Sequence, residues 1–155
     1  MYEVRPCKSG ARVPPTFVTL HRMNRADFEK LVEEGFALLP EHVREKIRNV
    51  AVLVEDEPSR EDREAQGLME DETLLGLYKG IPLSERGEQY GVGVTMPDTI
   101  TIYQKPIEEA AEDTGLPISV IVADTVMHEF AHHFGMNEAE VYAWEKSKGI
   151  GHARE

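Results

Sequence analysis

Residues 128–135 read His128-Glu129-Phe130-Ala131-His132-His133-Phe134-Gly135. Two histidines four positions apart lie on one helical face, so both imidazoles can turn towards one metal ion. Glu129 stands about 100° further round the helix, close enough to reach a water on that metal. A chain of this composition yields the pattern H-E-x-x-H by chance about 0.03 times. The chemistry such a set performs is hydrolysis: a metal-activated water attacks a carbonyl, and the glutamate takes the water's proton as general base before passing it to the leaving amine.

A catalytic zinc takes three protein ligands and keeps a fourth position open. Gly135 can turn the chain so that a residue beyond it swings back, and Glu138 stands three positions on. Glu140 and then Glu145 are the next candidates. Asn137 can also cap a following helix, with Glu140 closing a capping box, and that reading is compatible with Glu138 as a ligand. Two imidazoles and a carboxylate suit Zn2+ but also accept iron, cobalt or nickel. A plainer alternative is a histidine pair held by core hydrogen bonds with no metal; two apolar-flanked histidines and a glutamate would then need other partners.

The motif needs a helix beneath it. Pro117 suits a first helical turn, the apolar residues Ile118, Ile121, Val122, Thr125, Val126, Phe130, Ala131 and Phe134 form a broad stripe, and Gly135 can end the helix in a left-handed cap. Upstream, Asn24 reads as an N-cap for a helix from Arg25 to Leu39 that Pro40 ends, with a short helical piece from Glu41 to Ile47. The run Val50–Val54 reads as a strand buried on both faces. Residues 55–72 hold nine acidic residues against two arginines and read as a solvated, mobile loop. Leu74–Tyr78 and Thr99–Tyr103 read as strands, separated by a loop rich in glycine, and Ile107–Thr114 as a short helix before Gly115. Residues 1–15 read as an irregular arm, and Thr16–Leu20 as a short strand or a lead into the first helix. No repeat or linker divides the chain, so one domain over residues 1–155 is expected.

The formal net charge of -12 argues against nucleic acid and anionic membrane surfaces as partners. Cys7 is the single cysteine, so no internal disulfide can form, and its polar surroundings do not mark it as a nucleophile. With no apolar leader at the N-terminus and no apolar run of the ~20 residues a span needs, a cytoplasmic protein is expected.

The motif region HEFAHHFGMNEAEV resembles that of the small bacterial zincin-like metallopeptidases, the minimal zincins. The resemblance takes in VAVLVEDEP, LLGLYKGIPLSER and PDTITIYQKPI, and so covers most of residues 25–148. It implies a compact α+β zincin-like core: a small mixed β-sheet with an N-terminal helix, an active-site helix and a short C-terminal helix. It also implies His128 and His132 as metal ligands, Glu129 as general base and Gly135 as the turn. Glu138 falls where the family has an acidic residue, more often aspartate; larger metzincins have histidine there. The substrate would be a peptide or protein laid along an edge strand, by resemblance Leu74 to Leu83. A second donor to the oxyanion could come from Tyr78, Tyr103 or His133, each equally readable as packed or solvated. The alternative function is a catalytically silent zinc-binding module that grips an extended peptide or partner protein.

Overall fold

The computed structural model describes residues 22–93 and 95–149, together with the backbone of residues 2–4. Cys7 and the Thr16–Leu20 segment lie outside the described residues. The strands are β1 (Tyr2–Val4), β2 (Val50–Glu55), β3 (Thr73–Lys79) and β4 (Asp98–Tyr103). The helices are α1 (Arg25–Ala37), α2 (Glu41–Arg44), α3 (Arg60–Ala65), α4 (Gln104–Thr114), α5 (Ile118–His133) and α6 (Glu138–Lys148). Among the described residues one sheet forms, in the order β1-β3-β4-β2. It is mixed: β3 runs antiparallel to both β1 and β4, and β2 runs parallel to β4. The expected α+β core, with its sheet and its N-terminal, motif-bearing and C-terminal helices, is what the chain forms.

Local signals set the helix ends. The Asn24 side chain accepts a hydrogen bond from the Asp27 amide at 2.8 Å, which starts α1 as predicted. Gly115, at φ +70°, ends α4 in the left-handed region. Phe28, Val32 and Gly35 recur at helical spacing and bury against α5. A methyl group on Gly35 would stand 3.3 Å from the Ala123 Cα, so the two backbones approach closely there. Along α5, Ile121, Val122, Val126 and Phe130 join Ile100 and Ile102 of β4 in the core. Burying each such side chain stabilises by about 1.5–3 kcal/mol, while a β-branched residue in a helix costs at most about 0.7 kcal/mol. Burial therefore decides helix over the strand preference of Val120-Ile121-Val122.

Several expectations need correction. The Val50–Val54 run is not buried on both faces. β2 is the last strand of the sheet, hydrogen-bonded to β4 alone among the described strands, and Val52 and Leu53 are exposed. Residues 55–72 are not loop throughout: Ser59 accepts from the Asp62 amide and caps α3, and an ion pair from Lys79 to Asp62 ties that helix to β3. The arm is not wholly irregular, because β1 falls within it. Nor is β3 the free edge from Leu74 onward. β1 pairs with it, matching Val4 to Thr73, Glu3 to Leu74 and Tyr2 to Gly76. Leu75 is passed over at a bulge, so Leu74 packs with Leu77 and Tyr103 while Leu75 joins the main core.

Candidate metal centre

The last two turns of α5 carry His128, Glu129 and His132. His128 and Glu129 are fully buried, and His132 is largely so. The Phe134 C-cap and Gly135 at φ +95° reverse the chain. Asn137 then caps α6 with a complete capping box to Glu140, which makes Glu138 the first residue of that helix. Three residues come together: His128 Nε2 and His132 Nε2 are 3.0 Å apart, and Glu138 brings Oε1 to 3.1 Å from His132 Nε2 and Oε2 to 3.7 Å from His128 Nε2. They form a group that could hold a metal ion. Donors at 2.0–2.2 Å from a tetrahedral zinc lie about 3.3–3.6 Å from one another, so each side of this triangle is within about 0.3 Å of that size.

The ring nitrogens facing away from the group decide which ones can bind a cation. His132 Nδ1 lies 2.9 Å from the Met136 carbonyl oxygen, which can only accept, so Nδ1 carries the proton. His128 Nδ1 lies 3.0 Å from Glu145 Oε1, whose carboxylate likewise accepts. In the neutral rings both Nε2 atoms then present lone pairs to one point that a carboxylate also faces. A cation there satisfies all three donors, and the donor set fits zinc. Without a cation between them, the rings can each carry a second proton on Nε2. Burial raises the pKa of Glu138, but hydrogen bonds from those protonated rings of His128 and His132 outweigh it and hold the carboxyl well below the usual range. Its side chain is 54% exposed, so the group is open to solvent on that side.

Glu129 is placed by the sheet. Gly76 of β3 lies against it: a methyl there would come within 3.0 Å of Glu129 Cγ and 2.9 Å of Thr125 Cγ2. Of the fallback ligands, Glu140 is engaged in the cap and Glu145 holds the far side of His128. The candidate oxyanion donors are not gathered at the group. Tyr103 is buried with Leu74 and Leu77 on the opposite sheet face to Ile102. Tyr78 donates to Asp98 and is 3.4 Å from His133 Nδ1.

That neighbouring polar cluster is what sequence reasoning missed. Asp98 accepts from Arg86 Nη2 at 2.6 Å, from Tyr78 and from the Ile81 amide, and the Arg86 and Asp98 side chains are 7% and 4% exposed. Burial alone would raise the pKa of Asp98, but these hydrogen bonds hold it below the ordinary value. Burial, with the Arg86 charge, pushes the His133 pKa down in spite of the nearby Asp98 carboxylate. Arg86 also donates to the Ile81 and Arg48 carbonyls and stacks on the Tyr90 ring at 4.2 Å. The cluster ties the 80–97 loop to α5, and Ser84 of that loop occupies the place where a Gly135 side chain would sit.

A mixed sheet backed by one helix offering paired histidines and a second offering a carboxylate defines a metallopeptidase-like α+β protein. The family model for zincin-like metallopeptidases matches residues 47–147, and the chain belongs to that family. No curated protein matches the chain. The family implies a metal cofactor, typically zinc, and a peptide substrate. No helix among the described residues is long and apolar enough to cross a membrane.

Proposed function

We propose that the chain is a zinc-dependent peptidase acting on a peptide or protein substrate, with residues 1–155 as one zincin-like domain. The observation that carries this reading is the convergence of two Nε2 atoms and the Glu138 carboxylate, with the buried Glu129 on the same helix as the histidines. His128, His132 and Glu138 would hold the zinc. When bound, zinc lowers the pKa of a coordinated water to about 7 and polarises the scissile carbonyl. Glu145 and the Met136 carbonyl keep the two imidazoles in the tautomer that offers Nε2. Glu129 accepts the proton of the attacking water and returns it to the departing amine nitrogen, and Gly76, having no side chain, leaves the space on β3 that Glu129 packs into. The charge of -12 favours basic substrates over acidic ones and disfavours nucleic acid.

Elemental analysis of protein purified without chelator, paired with cleavage of a peptide library, tests the proposal. One zinc per chain and cleavage are expected. Glu129→Gln should keep the zinc and lose about 10²- to 10⁴-fold in rate. Stoichiometric zinc with no cleavage would make the chain a binding module, and absence of metal would leave a structural histidine pair.

A further inference from the structure

β3 has two edges, and at Gly76, beside Glu129, both are paired. From Gly76 to Lys79 one edge pairs with β4. The other, from Thr73 to Gly76, pairs with the antiparallel strand Tyr2–Val4, whose Tyr2 is matched to Gly76, the residue that abuts Glu129. An extended peptide that runs along β3 as far back as Gly76 and Thr73 must use this same row of N–H and C=O groups. The strand already there has three residues, short of the five or six usual for strands, and its register breaks at Leu75. β4 on the other side is a full partner of six residues that also pairs with β2. The weakly held side is the one that can be vacated.

We propose that the Thr73–Gly76 edge of β3 is an exchangeable surface for an extended peptide, and that Tyr2–Val4 is its resident occupant, which a peptide in trans must displace. For its catalytic consequence this rests on the peptidase reading above. A strand seated nine-tenths of the time leaves one-tenth of the molecules competent and weakens apparent peptide affinity about tenfold.

The test uses the full chain with Glu3→Pro and Val4→Pro together. Alternate amides of a strand face opposite sides, so one of these two faces β3, and proline removes it. The probe is a dye-labelled synthetic pentapeptide of sequence YEVRP, copied from residues 2–6, followed by fluorescence anisotropy. The double variant should fold cooperatively and bind the probe about tenfold more tightly than the unaltered chain. In the unaltered chain, amides of residues 2–4 should exchange with solvent by local opening, faster than global unfolding allows. Equal affinity in both proteins, loss of cooperative folding in the variant, or exchange only through global unfolding would each overturn the proposal. If the probe binds as expected while neither protein cleaves any peptide, strand exchange stands and the peptidase reading falls.

Discussion

Glu145→Ala tests whether the far side of a metal-binding histidine matters as much as the near side. Glu145 sits seven residues beyond Glu138 on α6, 2% exposed, with Oε1 3.0 Å from His128 Nδ1. Truncation takes a charged acceptor away from a fully buried N–H, which costs about 1–3 kcal/mol. It also removes the preference for the tautomer that leaves Nε2 as a lone pair. Metal binding at Nε2 obliges Nδ1 to keep its proton, whereas the free ring can shift it to Nε2, so the penalty falls on the bound state. At 1.4 kcal/mol per decade it corresponds to about 5- to 150-fold in metal affinity, in line with the 10- to 100-fold typical of such outer partners. Glu145→Gln keeps an acceptor but not its charge, and should cost about fivefold. The assay is zinc titration against a chromophoric chelator at neutral pH, well below the melting temperature of every variant. A folded Glu145→Ala protein holding zinc within about twofold of the unaltered chain would refute the reasoning.

Two further perturbations follow from particular contacts. Gly135→Ala places a side chain at φ +95°, 2.0 Å from Ser84 Oγ, so it should destabilise by at least about 1–2 kcal/mol and weaken zinc binding by displacing Glu138. Adding Ser84→Gly should recover only the clash, and thermal melts of both variants measure the remainder. Asp98→Ala leaves the Arg86 guanidinium nearly buried without its carboxylate and should cost about 3–5 kcal/mol, read as a shift in urea midpoint. Asp98 also fixes a pH dependence. Its folded pKa is depressed, so its stabilisation is present above the unfolded value of about 4 and is lost as pH falls towards the folded one. Urea midpoints should therefore decline more steeply below pH 4 in the unaltered chain than in Asp98→Asn.

The candidate site was legible because its parts are local. His128 and His132 share a face by helix geometry, Gly135 announces the turn, and Glu138 follows within one step of the next helix. Glu145 was visible as a carboxylate two turns along α6, but a spacing cannot say that it would meet Nδ1 of His128 rather than the metal. The Arg86–Asp98 pair was not legible, since a loop joins the two and no periodicity links them. The exposure of β2 escaped for a related reason: an apolar run reports affinity for a core, whereas strand order decides how many neighbours it has, and strand order is set by long-range pairing. The same holds for β1, three residues whose role depends on a partner about seventy positions away.

The second helix of the site has a practical consequence. Val141 and Glu145 are its buried residues, so much of its anchorage runs through the carboxylates that face the histidines. Trp144, the single tryptophan of the chain, neighbours Glu145 there and is partly shielded from solvent. The chain thus carries its own optical gauge: emission from that indole should shift when the cation is stripped and the helix loosens, so occupancy can be followed without any label.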